Sequence, residues 1–170
     1  MYIKDNENPD FMLLALKEAK KAAGNGEVPV GAVIVYNGTV IAKGRNMRER
    51  KQDALAHAEI VCIRRACAVL GSWRLEKCEM YVTLEPCPMC AGAIINSRLS
   101  RVYIAAPDPK NGVCGSLLNL FDYGFNHKPD IAWSGYRGEA SELLKDFFNE
   151  LRQRKNKKRN YCPEIKSTDL

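Results

Sequence analysis

The stretch that decides the fold is Met80-Tyr81-Val82-Thr83-Leu84-Glu85-Pro86-Cys87-Pro88-Met89-Cys90-Ala91-Gly92-Ala93-Ile94-Ile95-Asn96. Residues 80–84 are apolar, aromatic and β-branched, which predicts a strand. Residues 88–96 predict a short helix with proline in its first turn. Strand, tight link and helix in 17 residues point to an α/β chain, and the flanks agree. Upstream, residues 56–70 predict a helix stopped by Gly71. Before it, residues 31–36 and 39–42 predict strands joined by Asn37-Gly38, the strongest short hairpin signal. Residues 10–23 predict a first helix, with Asp10 as its cap and Gly24 at its end. Downstream, residues 101–105 and a weaker 131–134 predict strands. Residues 138–152 predict a terminal helix with a stripe of Ala140, Leu143, Leu144, Phe147 and Leu151. One hairpin followed by alternating helices and strands implies a mixed sheet covered by helices on both faces.

Cys87 and Cys90 lie three apart at a helix start, hence on one face, where the helix N-terminus favours thiolate over thiol. His57-Ala58-Glu59 opens the other central helix. Zinc takes thiolate sulfur and imidazole nitrogen, usually with four ligands. His57, Cys87 and Cys90 supply three and leave a fourth position for water, the pattern of a catalytic site; zinc brings the pKa of such a water to about 7. Glu59 is placed to take its proton and pass it to a leaving group. The competing structural reading is a closed zinc knuckle with Cys78 as fourth ligand. It leaves Glu59 without a role and sets an ordered strand between the sulfurs. The other cysteines, Cys62, Cys67, Cys78, Cys114 and Cys162, read as small core or loop residues.

A chain of 170 residues fits one domain, and 46% hydrophobic with 27% charged residues is ordinary for a globular protein. No apolar run approaches the roughly 18 residues of a membrane span. The opening Met1-Tyr2-Ile3-Lys4-Asp5 lacks a signal-peptide pattern, and seven cysteines, an odd number, argue against a disulfide framework. A cytoplasmic protein is expected. Charge is unevenly spread. Residues 152–159 carry six basic side chains and no acidic one. Removing those six from the 26 basic residues leaves 20, equal to the 20 acidic ones. The chain therefore divides into a neutral body, 1–151, and a basic tail, 152–170, which is either a solvated end or an arm for nucleic-acid phosphates.

A lone H-x-E or C-x-x-C is weak, but H-x-E followed by P-C-x-x-C after a strand resembles the signature of the zinc nucleobase deaminases. Further stretches sharpen the resemblance: Gly26-Glu27-Val28-Pro29-Val30-Gly31-Ala32, Asn46, Gly71-Ser72-Trp73-Arg74-Leu75, Asp108-Pro109-Lys110, Gly115-Ser116-Leu117-Leu118-Asn119 and Asn126-His127. With these the chain resembles the bacterial tRNA-specific adenosine deaminases from about Phe11 to the end of the terminal helix. The resemblance implies a cytidine-deaminase-like three-layer α/β/α sandwich around a five-stranded mixed sheet. It implies a homodimer with one Zn2+ per subunit, and deamination of the wobble adenosine in the anticodon loop of an arginine tRNA. It places zinc on His57, Cys87 and Cys90 and the proton shuttle on Glu59. Asn46 would contact the flipped base, Val30 and Leu84 would shape its pocket, and Asp108 would meet the RNA nearby. Read from the sequence alone, Asn46 is a loop cap after the second strand, a reading that only the resemblance overturns, and for Val30 and Leu84 ordinary core packing competes with the pocket role. In the resembling family Pro-Thr or Ala-Thr precedes Ala-His-Ala-Glu; here Asp53 is followed by Ala54-Leu55, so the approach to the catalytic helix is expected to pack differently. His127 reads as structural or RNA-facing. Phe148, adjacent to Phe147, cannot share its face, so it is a base-stacking candidate or the edge of the core or of a dimer contact. Arg152 begins the phosphate-facing run. The competing functions are a free-base guanine or cytosine deaminase and a non-catalytic zinc-stabilised RNA-binding module.

Overall fold

The structure is a computed structural model that describes residues 10–160, with side-chain surroundings as far as residue 156. Its elements are α1 (Phe11–Gly24), β1 (Gly31–Tyr36), β2 (Thr39–Arg45), α2 (Arg48–Lys51), α3 (Ala58–Leu70), β3 (Cys78–Leu84), α4 (Pro88–Asn96), β4 (Arg101–Ala106), β5 (Asp130–Trp133) and α5 (Arg137–Asn160). A 3₁₀ turn at Leu120–Asp122 lies in the long β4–β5 connection. The five strands form one sheet in the order β2-β1-β3-β4-β5. β1 pairs antiparallel with β2 and β3, whereas β3, β4 and β5 run parallel.

The expected hairpin closes on Asn37 and Gly38, both at positive φ (48° and 73°), as a type I′ turn requires. Asp10 caps α1, accepting from the Met12 and Leu13 amides. Alternation in the strands sends side chains to two cores. Ile34, Met80, Val82 and Ile104 meet Cys62 and Ala66 of α3 and Ile94 of α4 on one face. Val33 and Val35 meet Ala15 and Leu16 of α1 and lie in the same core as Ala140 of α5 on the other. The three-layer α/β/α arrangement and mixed sheet are thus as expected from sequence.

The clearest departures from expectation are at β2, α2 and α5. β2 runs to Arg45 rather than residue 42, because Gly44 lets α3 lie directly on the strand. A Cβ on Gly44 would collide with the Ala58 carbonyl oxygen and come within 2.8 Å of the Cys62 amide nitrogen. The short α2 carries no sequence signal. α5 continues to Asn160, so the first part of the basic tail is helical, not a frayed end. Arg154 bonds Glu150 one turn back at 3.4 Å, and this stretch is rich in good helix formers. The α5 stripe is also less buried than its spacing suggests: Ala140 is buried, Leu143, Leu144 and Phe147 are half-buried, and Leu151 is exposed. Cys162 lies outside the described residues.

Candidate active site

Two helices begin at the same end of the sheet, the end where the parallel strands β3 and β4 finish. This is where open α/β sheets place their ligands. His57 is the N-cap of α3 and Cys87 the N-cap of α4, both with extended backbone. Neither side chain caps its own helix; both turn to each other. His57 Nδ1 lies 3.7 Å from Cys87 Sγ and 3.6 Å from Cys90 Sγ. The three donor atoms fall within 4.8 Å of one another. In a tetrahedral zinc site, bonds of about 2.3 Å to sulfur and about 2.0 Å to nitrogen put sulfur and nitrogen about 3.5–3.6 Å apart. The observed spacing is the edge of such a tetrahedron, so the donor set fits zinc. Cys78 is not in this group. It begins β3 and Leu84 ends it, so about 20 Å of strand separates it from the cluster, and the closed-knuckle reading fails.

The electrostatics suit an anionic ligand set. A hydrogen bond from Cys90, helped by His57, holds the Cys87 thiol down at about 4 against the effect of burial. The same contact, with burial, pushes the Cys90 thiol up. The Cys87 contact also raises the His57 imidazole, assisted by the charge of Glu59. Glu59, in the first turn of α3, is 4% exposed. Burial pushes its carboxyl above the ordinary carboxylate range, although its own backbone N–H and the Cys90 thiol oppose the shift. A buried carboxyl group beside a metal-ligand set is equipped for acid–base work.

Around this centre the sheet gathers several of the expected residues. Gly31 pairs with Arg45, and Leu84 with Ala106, so Val30, Asn46, Leu84 and the start of the Asp108 loop share one end of the sheet. Asn46 is buried, and its amide nitrogen donates to the Val30 carbonyl at 3.0 Å. The next residue, Met47, donates to the Ala56 carbonyl at 2.9 Å, one residue before His57. Val30 is buried in the main core and Leu84 packs against it half-buried. Asp108 uses its carboxylate inside its own loop. Oδ1 accepts from the Lys110 and Asn111 amides at 3.0 and 3.2 Å, and Oδ2 from the Asn111 side chain at 3.4 Å.

Other expected residues stand apart. Phe148, 40% exposed, and Arg152 lie on α5, on the opposite face of the sheet from α3 and α4. Phe148 makes an edge contact with Phe147 at 5.5 Å. His127 is structural: its Nε2 bonds the Leu99 carbonyl at 2.7 Å while Asn126 accepts from Arg98 at 2.8 Å. Leu55, in the departure from the family pattern, points outward, and Asp53 closes the turn by accepting from the Leu55 amide at 2.9 Å. The His57 lead-in is therefore held by backbone, not by the changed side chains.

Two buried carboxylates at this end carry no sequence signal of their own. Glu27 accepts from the Glu49 and Arg50 amides and from the Asn46 side chain. Glu85 accepts from the amides of Asp108, Cys114 and Ser116 and from the Ser116 hydroxyl. Gly112 leaves room for that carboxylate, since a Cβ there would run into it. Their partners are distant in sequence, and no local periodicity encodes such contacts.

Comparison with known proteins agrees with this geometry. Residues 5–106 match the cytidine and deoxycytidylate deaminase zinc-binding region. The tRNA-specific adenosine deaminase of Bacillus subtilis is 48% identical over 155 residues, 91% of this chain and 96% of that protein. A solved structure from a study of A-to-I editing by tRNA:A34 deaminases at the wobble position of transfer RNA is 46% identical. The match covers 79% of this chain and 98% of the other, with a TM-score of 0.77. The guanine deaminase of Bacillus subtilis matches less of the molecule: 43% identity, 57% of this chain, 62% of that one and a TM-score of 0.55. A zinc-fitting His-Cys-Cys cluster beside a buried glutamate, on a sheet and sequence shared along nearly the whole length of such relatives, settles the affiliation: this chain belongs to the tRNA-specific adenosine deaminases, within the cytidine and deoxycytidylate deaminase group.

Proposed function

We propose that this protein hydrolyses the wobble adenosine of a tRNA anticodon loop, that of an arginine tRNA, to inosine and ammonia. The observation that carries the proposal is the convergence of His57, Cys87 and Cys90 within 4.8 Å beside the buried Glu59, in a chain that matches tRNA-specific adenosine deaminases over most of its length.

His57 Nδ1, Cys87 Sγ and Cys90 Sγ would hold one zinc ion per subunit. When bound, zinc supplies Lewis-acid activation of water at neutral pH. Glu59 removes a proton from that water and delivers it to N1 of adenine. As that proton reaches N1 the water oxygen adds to C6; Glu59 then takes the remaining proton from the new C6 hydroxyl and gives it to the N6 amine, which leaves as ammonia while the C6 carbonyl forms. An anticodon loop suits the site because its unpaired base can swing out of the stack. Asn46 meets that base, Val30 and Leu84 wall the pocket, and Asp108 contacts the RNA from its rigid loop. Beyond the catalytic body, 1–151, the basic residues from Arg152 meet stem phosphates, and at the body's edge Phe148 stacks on a loop base. The protein works in the cytoplasm as a homodimer. The β4–β5 connection exposes Leu117, Leu118, Tyr123 and Phe125, large apolar side chains of the kind a partner covers. Among the described residues no helix is long and apolar enough to cross a membrane.

Ammonia release tests the proposal. An anticodon stem-loop should be the substrate, with free guanine and cytosine inert. Release from a free base alone would make the protein a base deaminase, and release from none of the three would leave a zinc-stabilised binding module.

A further inference from the structure

Glu27 is 1% exposed, and among the described residues no Lys, Arg or His forms an ion pair with it. Its partners are all N–H donors. Oε1 accepts from the Arg50 amide at 2.8 Å, and Oε2 from the Glu49 amide at 3.2 Å and Asn46 Nδ2 at 3.4 Å. Burying a carboxylate without a cation is costly unless every lone pair is used. Here the cost is offset by two amides of α2 and by one side chain at the mouth of the site.

The Asn46 contact is long for a hydrogen bond, so its weight lies in orientation. An asparagine amide fits a slot equally well in two flips, and its partner decides between them. The wrong flip would set Asn46 Oδ1 against Glu27 Oε2, two acceptors face to face. Asn46 therefore keeps Nδ2 on Glu27 and turns Oδ1 and its second amide hydrogen away. No described group bonds Oδ1, and every buried side-chain polar atom among the described residues has a partner, so Oδ1 reaches accessible space. The main chain of Asn46 is meanwhile pinned between Val30 and the Ala56–His57 turn.

We propose that Glu27 is a positioning residue that locks the amide of Asn46, so that one fixed donor–acceptor edge meets the flipped base; this rests on Asn46 being the base contact proposed above. Glu27→Gln tests it. The glutamine keeps the shape but sets an NH2 group either against the Arg50 N–H or against the Glu49 N–H and the Asn46 amide together, and the second placement frees Asn46 to flip. On a stem-loop, with rates normalised to zinc-loaded protein, kcat/KM should fall about 5–50-fold, chiefly through KM. In an Asn46→Ala background the same change should cost less than about twofold more, because the two residues act as one unit. Equal losses in both backgrounds, or no loss in either, would overturn the proposal.

The double variant E27Q/N46D guards against simple misfolding. It exchanges donor and acceptor across the same contact and should recover part of the thermal stability lost in E27Q, the Glu49 N–H still facing the NH2 group, without recovering kcat/KM; recovery of both would overturn the proposal. If the wild type acts only on a free base, the tRNA reading fails. The cycle run on that base still decides whether Glu27 works through Asn46.

Discussion

Replacing Gly44 with alanine adds one methyl group at the closest approach of β2 and α3. The added Cβ would lie 2.8 Å from the Cys62 amide nitrogen and 2.9 Å from Cys62 Cβ, and closer still to the Ala58 carbonyl oxygen. The obstacles are mostly backbone, so no side chain can rotate away. Ordinary contact begins at 3.4 Å, so α3 must retreat by about 0.6 Å or more. Overpacking of this kind costs about 1–3 kcal/mol, which in a chain of this size lowers the melting temperature by roughly 2–12 °C. The strain falls on the first turn of α3, which carries His57 and Glu59. A shift there lengthens the 3.6 and 3.7 Å separations of His57 from the two sulfurs. G44A should therefore lose zinc affinity as well as stability. Calorimetry and metal analysis against a chelator read the two effects. Gly24→Ala is the control, because a Cβ there meets nothing within 4 Å and helix propensity favours alanine by about 0.5–1 kcal/mol. A G44A protein that melts and holds zinc like the wild type would refute the reasoning.

Glu59→Ala should retain zinc yet lose at least about 10²-fold in deamination, whereas alanine at His57, Cys87 or Cys90 should abolish zinc binding; metal analysis with single-turnover rates separates the two classes. Truncation after Leu151 should weaken stem-loop binding at low salt and flatten the plot of log affinity against log salt, by about 0.7–0.9 for each phosphate no longer neutralised, with zinc content unchanged. Glu18 is buried against Lys21 at 2.6 Å and Arg45 at 2.9 Å; burial raises its carboxyl, but the two hydrogen bonds outweigh it and the net shift is downward. A lowered folded value stabilises above the ordinary carboxylate range and is lost as pH falls below it. Glu18→Gln should thus be less stable than wild type at neutral pH, with the gap closing in acid, as denaturant titrations at pH 7 and pH 3 would show.

The parts of this molecule legible in the sequence are those encoded locally. The Asn37-Gly38 turn needs two positive φ values, and the residue types say so. The His57 and Cys87-Cys90 ligands announce themselves by spacing at helix starts, because a metal selects residue types that are otherwise uncommon together. What depends on distant partners is not legible. Glu27 and Glu85 look like surface acids until the loops that donate to them are in place. α2 is four residues long and has no apolar repeat to reveal it. The continuation of β2 is masked by Lys43-Gly44-Arg45, although a lone glycine inside a strand is itself a sign of close backbone approach. Past Leu151 no apolar residue repeats, so the charge run obscures a sequence of good helix formers whose helicity the structure carries on to Asn160.

The placing of His57 and Cys87 at separate helix starts has a consequence for the unfolded chain. They are 30 residues apart in sequence, and the segment between them contains α3 and β3. A metal ion joining them acts as a cross-link that closes this loop. Because the unfolded chain offers no preformed site, the ion binds only where this loop is already closed, and its binding free energy adds to the roughly 5–15 kcal/mol that holds a domain together. Metal supply would then set how much protein survives in the cell as well as how fast it turns over, since a chain made without zinc starts life with that loop open.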